Sequence, residues 1–250
     1  MHPDRWYHTI DLPGGVVTPG YFDTRAIADV VPLPPRLDGA RCLDVGTYDG
    51  FWAFEMERRG AAEVVAIDVL DPLRWDWPVG SSEEAIAAIS DERLGFDVAR
   101  EALGSRVERR DLSVYDLSPD QVGTFDVVYC GSLTLHLRDP VRALERIRSV
   151  CTGVFVYEDA IDVSLLGRTP RAVLDGRGRP WWWKANPAGL ARMASAAGFE
   201  VVSGPRRFFV PFGAGGPSPR ARLRAVWSRA HREEAVLAWR GDPHAALLAR

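Results

Sequence analysis

Lysine is almost missing from this chain. Lys184 is the sole example, and the remaining basic charge is arginine. We read that bias as high-GC coding, which speaks to source rather than mechanism. Cysteine is scarce too: the 250 residues hold three, Cys42, Cys130 and Cys151, with no C-x-x-C pair. Neither a disulfide framework nor a metal site is expected from them. All three sit in or beside apolar, strand-like runs, and buried free thiols in a reducing cytoplasm are the expectation. No apolar run approaches the ~20 residues needed to span a bilayer. The start, Met-His-Pro-Asp-Arg-Trp, lacks the apolar core of a signal peptide. A cytoplasmic protein with no membrane partner is expected. An excess of one charge is also lacking: the net charge of −3 gives no global electrostatic case for nucleic acid or anionic lipid. There is no internal repeat and no extended low-complexity tract.

The chain is 46% hydrophobic and 26% charged, ordinary for a globular protein, and long enough for one sizeable α/β domain with appendages. Residues 1–38 are rich in Pro, Gly and aromatics and predict irregular chain lying on the main domain as a lid, with a short helix near Thr24–Val30. From Arg41 strands and helices alternate. Strands are expected at 41–46, 63–69, 106–112, 125–131 and 153–159. Helices are expected near Phe51–Arg59, Ser82–Leu103 and Pro140–Val150, and from Asn186-Pro187 to a stop at Gly198. A final pair of strands, about Glu200–Ser203 and Arg207–Pro211, completes the sheet. The pattern predicts a doubly wound, Rossmann-like, mostly parallel seven-stranded sheet with helices on both faces. The divisions are an N-terminal lid (1–38), a main α/β domain (39–213) and a helical C-terminal extension (214–250). The extension holds an Arg-rich helix, Arg220–Arg232, and a second helical stretch to Arg250.

The strand Arg41-Cys42-Leu43-Asp44-Val45 runs into Gly46-Thr47-Tyr48-Asp49-Gly50, and a second strand ends in Asp68. Apolar strand, glycine turn, helix and acid-tipped strand form the layout of a nucleotide-binding βαβ unit. The spacing Asp44-x-Gly46-x-x-x-Gly50 is not the dinucleotide form. It resembles the first motif of class I S-adenosylmethionine (SAM) methyltransferases. That resemblance implies SAM as cofactor and S-adenosylhomocysteine (SAH) as product. It implies backbone amides from Gly46 through Thr47, Tyr48 and Asp49 to Gly50 facing the amino-acid end. Asp68 would take the ribose hydroxyls, Asp111 and Leu112 the adenine, and Cys130, Gly131 and Ser132 the pocket floor.

More narrowly, Leu43 through Glu55, with Trp6-Tyr7-His8-Thr9-Ile10, Thr18-Pro19-Gly20, Leu135-His136-Leu137-Arg138-Asp139-Pro140 and Asn186-Pro187, resembles tRNA mo5U34 methyltransferase-like proteins. That family includes the carboxymethyltransferase of wobble uridine. The resemblance covers roughly residues 6–210 and departs at two places that matter. Carboxymethylating members hold the extra carboxylate of carboxy-SAM with a lysine before the first motif and a tyrosine where this chain has Leu135. Here no lysine precedes the motif, so plain SAM is expected rather than carboxy-SAM.

On the acceptor side, His136 follows the fourth strand and is a candidate base, or else orients its loop. Glu158 and Asp159 end the fifth strand as candidate base or acceptor-binding acids, or else as solvated loop charge. Three consecutive tryptophans, Trp181, Trp182 and Trp183, cannot all enter one core, so at least one is expected to line a cleft. Trp6 and Tyr7 either cover the donor or form a packed lid. The leading expectation is a methyltransferase acting at oxygen on a small polar or glycosylated metabolite. The rivals are wobble-uridine modification of tRNA, which the missing N-terminal region of the tRNA enzymes disfavours, and a non-catalytic SAM-binding scaffold. The Arg220–Arg232 helix is compatible with a solvated face, a homodimer contact or a clamp for a phosphorylated acceptor or RNA.

Overall fold

Strands β1 (Arg41–Val45) and β2 (Glu63–Asp68) are buried almost end to end, as strands covered on both faces must be. The computed structural model describes residues 6–82, 86, 95–165, 167–175, 181–217 and 240–250. In it these strands join β3 (Glu108–Asp111), β4 (Phe125–Gly131), β5 (Cys151–Ala160), β6 (Val201–Val210) and β7 (Asp242–Ala249) in the order β6-β7-β5-β4-β1-β2-β3. Strands β1 to β5 are parallel, and β7 is antiparallel to β5 and β6. The strand order reverses between β1 and β4, which opens a crevice at the carboxyl ends of the strands.

Side-chain alternation sends successive residues to opposite faces, and each face has its own core. Leu43, Val65, Ile67, Val128, Cys130, Phe155 and Tyr157 pack with helices α3 (Pro140–Val150) and α4 (Pro187–Ala196). Cys42, Val64, Ala66, Tyr129 and Val156 pack on the other face with α1 (Phe51–Arg58), α2 (Gly95–Leu103) and the N-terminal segment. Asp139 caps α3 by accepting from Arg142 N–H, and Asn186 caps α4 by accepting from Gly189 N–H, each with proline in the first turn. The cysteines are free and buried, as their apolar neighbours imply.

Two expectations at the C-terminal end are corrected. The pair of strands foreseen between Glu200 and Pro211 is one strand, β6, with register shifts around Ser203 to Arg206 that let it continue past Gly204-Pro205. The seventh strand is β7, in the stretch expected to be helical. Pro243 and the run Ala245–Ala249 are inserted between β5 and β6, so long-range pairing decides their conformation over the helix propensity of alanine and leucine. The Arg220–Arg232 helix and most of Ser82–Leu103 before Gly95 lie outside the described residues. Among the described residues no helix is long and apolar enough to cross a membrane.

Candidate active site

The strand ends surround a cavity of about 340 Å³ whose lining draws on β1, β2, β4, β5, β7 and the N-terminal segment. At the switch point the chain bends at Gly46, where φ is +78° and a Cβ would meet the Leu133 side chain at 3.1 Å. Tyr48 holds a left-handed φ of 51° without being glycine, which marks a backbone fixed by its surroundings. The bend is wound back onto β2. Gly46 and Thr47 N–H donate to the Ile67 carbonyl, and Tyr48 N–H donates to Asp68 Oδ2 at 2.9 Å. Gly50 N–H closes on the Thr47 carbonyl, and Gly50, at φ +91°, starts α1. The expectation that these amides face a ligand is therefore corrected. Gly46, Thr47 and Tyr48 line the cavity, but their amides donate inward, to the Ile67 carbonyl and the Asp68 carboxylate. What the bend presents is carboxylate. Asp44 and Asp68 both line the cavity. Asp44 is 2% exposed, and burial pushes its carboxyl up to about 7 against the hydrogen bond from Thr47 Oγ1 at 2.7 Å.

Asp111 is also placed differently from expectation. It turns outward, accepting from Leu70 N–H at 3.0 Å and Arg74 Nη1 at 2.8 Å, and it is not among the lining residues. Leu112 lines that end together with Ser113 and Tyr115. The segment after β2 closes over it with Arg74, Trp75 and Asp76, and Tyr115 O–H donates to Asp76 Oδ2 at 2.7 Å. This segment has no counterpart among the site residues expected from the sequence. Its Trp75-Asp76-Trp77 run, outside any helix or strand pattern, was the available signal.

On β4, Gly131 and Ser132 line the cavity and Cys130 does not, because alternation turns Cys130 into the opposite core. A Cβ on Gly131 would lie 2.1 Å from the Tyr129 hydroxyl and 2.6 Å from Glu158 Oε2, so glycine is needed for that close approach. Asp49 is turned away from the cavity and holds the N-terminal segment, while Trp6 is buried in the core beside Gly95. Tyr7 and His8 thereby form a wall of the cavity, with Phe22, Thr24 and Ile27 behind them. Burial, reinforced by the negative charge of Asp242 and Glu158, pushes the Tyr7 phenol well up, and it stays neutral.

Of the acceptor-side candidates, His136 and Glu158 line the cavity and Asp159 does not. Alternation again separates the neighbours. Asp159 points to the other face, accepts from Thr134 Oγ1 and from Leu135 N–H, and so fixes the turn that carries His136. Burial raises its carboxyl to about 6, opposed by the Thr134 hydrogen bond. None of the three tryptophans lines the cavity. Trp182 donates to the Asp76 carbonyl and stacks under Arg138, Trp183 donates to the Arg138 carbonyl, and Trp181 sits beside Lys184. They brace the loops around the cavity instead of walling it. His244, absent from the sequence reading, does line it and bonds to Glu158, because β7 is a strand and not the expected helix.

The lining suits a particular ligand chemistry. The carboxylates of Asp44 and Asp68, a cluster of aromatic rings (Tyr7, Tyr48, Trp52, Tyr115) and polar hydroxyls favour a molecule carrying positive charge, a diol and a flat base. Residues 21–203 match the family described as methyltransferase domain. A ubiquinone biosynthesis O-methyltransferase of Xanthomonas campestris pv. campestris is 31% identical over 144 residues, 58% of this chain and 50% of that protein. The chain thus spans about half the length of that relative. The protein of the same name from Neisseria meningitidis serogroup C is 27% identical over 73% of this chain and 75% of its own. Among solved structures, 1,6-didemethyltoxoflavin-N1-methyltransferase from Burkholderia thailandensis, which holds SAH, superposes with a TM-score of 0.52 at 17% identity, covering 85% of this chain and 71% of its own. That likeness is one of fold. The family match, over most of the chain, makes this chain a member of the methyltransferase domain family, with the class I SAM-dependent methyltransferase fold.

Proposed function

We propose that the enzyme methylates an oxygen of a small polar or glycosylated acceptor. The observation that carries this reading is the extent of the cavity. Its lining runs from Asp68 on β2 past Asp44 and Gly131 to Glu158 and His244, across five neighbouring strands. At ~4.8 Å per strand, that is about 19 Å. Asp68 to Gly131 takes up about half, and the half beyond it is floored by the polar groups of Glu158, Tyr129 and His244. Asp44, Asp68, Leu112 and the aromatic rings would hold SAM, which supplies an activated methyl group. The protein positions the acceptor for in-line attack, excludes water and takes up the hydroxyl proton. The O-methyltransferase names of the curated relatives support oxygen as the acceptor atom.

Plain SAM fits better than carboxy-SAM. Leu135 is buried, and its N–H and carbonyl are engaged by Asp159 and Trp182, so that position offers no hydroxyl to a second carboxylate. The test is incubation of the purified protein with methyl-labelled SAM and fractions of small metabolites or bulk tRNA. Label in a small molecule at a methoxy group supports the reading; label confined to tRNA or to a nitrogen overturns it.

A further inference from the structure

At the acceptor end of the cavity stands a buried array that the resemblance did not foresee. Glu158 Oε2 accepts from Tyr129 O–H at 3.0 Å, and Glu158 Oε1 faces Nδ1 of His244. The other ring nitrogen, Nε2, bonds to Asp242 Oδ2 at 2.8 Å. The Glu158 and His244 side chains are each 3% exposed, yet both line the cavity. Burial pulls the imidazolium down, but Glu158 and Asp242 outweigh it and hold the ring charged, with a pKa of about 10. His244 with both nitrogens donating is a clamp and not a base. Above this floor the walls are flat or apolar: Tyr7 and Phe22 meet edge to face at 5.2 Å, with Ile27 and Val210 beside them. Carboxylates outnumber the imidazolium here. The guanidinium in the described lining, Arg74, stands at the opposite end against Asp111.

We propose that Asp242 and His244 are positioning residues that hold Glu158 as the acceptor-side base, and that the acceptor is an uncharged ring bearing a hydroxyl. In the step, the acceptor O–H proton passes to a Glu158 oxygen and the acceptor oxygen forms the new O–CH3 bond. The S–CH3 bond breaks with its electron pair going to sulfur. An anionic acceptor would face Glu158, Asp242 and Asp44, with the His244 imidazolium already committed to Glu158 and Asp242. The proposal rests on the methyltransferase reading above and adds to it a base, its support and the charge of the acceptor.

The test uses the full chain and two matched probe pairs: catechol with 3,4-dihydroxybenzoate, and D-fucose with glucuronate. SAH affinity is measured first. Failure of the wild type to bind SAH would overturn the methyltransferase reading itself and is read separately. With SAH bound, at least one neutral probe is expected to bind about tenfold tighter than its carboxylate partner, and E158Q to narrow that gap to about threefold. Which pair responds tells an aromatic ring from a sugar. In turnover of the responding probe, E158Q should lower kcat by about a hundredfold with KM little changed. Glu158 is faced by Tyr129 and His244, with Tyr7 and Asp159 around it, Asp242 behind His244 and the Lys184 charge acting on Asp242. Removing the imidazolium by H244Q should therefore move the acid limb of the kcat profile up by about one pH unit, a shift that loss of packing alone does not produce. If H244Q does not fold, D242N is read the same way, with the limb moving down, because the unneutralised imidazolium then favours the ionised Glu158. Intact SAH binding with preference for the carboxylate probes, no binding of either neutral probe, or an unmoved pH profile in the folded variants would each overturn the proposal.

Discussion

Asp49 grips His8 twice: Oδ2 accepts its backbone N–H at 2.8 Å, and Oδ1 faces its ring Nδ1. The same Oδ2 also takes the Tyr7 N–H at 2.8 Å. The loop that opens the nucleotide crevice thereby carries the N-terminal segment that walls it. D49A leaves two amides without their acceptor, at about 1–3 kcal/mol each. We expect a drop in denaturant midpoint matching about 2–6 kcal/mol, with weaker SAH binding because Tyr7 and His8 lose their seat. D49N, which keeps one acceptor oxygen, should lose roughly half as much. Unchanged SAH affinity in a destabilised D49A would show that the segment is not a wall of the site.

Asp44 predicts a pH dependence of donor binding. Burial raises its pKa to about 7, so the empty protein carries it partly protonated near neutrality. A cationic ligand favours the ionised form. SAM affinity should therefore rise as pH increases from about 6 to 8 and then level off. In D44N, calorimetric titrations across that range should lie flat.

His244 predicts a pH dependence of stability with the opposite sense. Its folded pKa of about 10 lies above the ordinary value of 6.5. The stabilisation is fully present below 6.5 and is lost as pH rises through about 10. The stability difference between wild type and H244Q, from denaturant midpoints, should shrink steadily over that interval. A constant difference would mean that the ring is not charged in the fold.

Gly131 predicts a steric effect. A methyl group there must displace the Tyr129 hydroxyl or Glu158, both of which it would meet closer than any relaxed contact. G131A should leave SAM affinity within about threefold while lowering methyl transfer by about tenfold or more, because the clash falls on the acceptor half. A loss confined to SAM affinity would place this strand end in the donor half instead.

Much of this was legible in the sequence because local chemistry dictated it. The apolar strands with Gly46 and Gly50 between them, the Asp139-Pro140 and Asn186-Pro187 caps and the acids at strand tips each carry their own signal. What escaped depends on partners far along the chain. Ala245–Ala249 reads as helix and is strand because β5 and β6 flank it. That one difference hid His244. Asp111 looked equivalent to Asp68, with which it pairs in register, yet Arg74 draws it outward. Glu158 and Asp159 read as a pair and are split by the pleat. The amides of the glycine bend looked available and are closed onto Ile67 and Asp68.

The most direct test of the central claim is a calorimetric titration of the purified chain with SAH, repeated with D68A and D111A. The cavity-lining carboxylate and the outward one make opposite predictions. We expect micromolar binding by the wild type, a loss of about tenfold or more in D68A, and a change within about threefold in D111A, whose surface pair with Arg74 is worth little. No binding by the wild type, or equal losses in the two variants, would contradict the account.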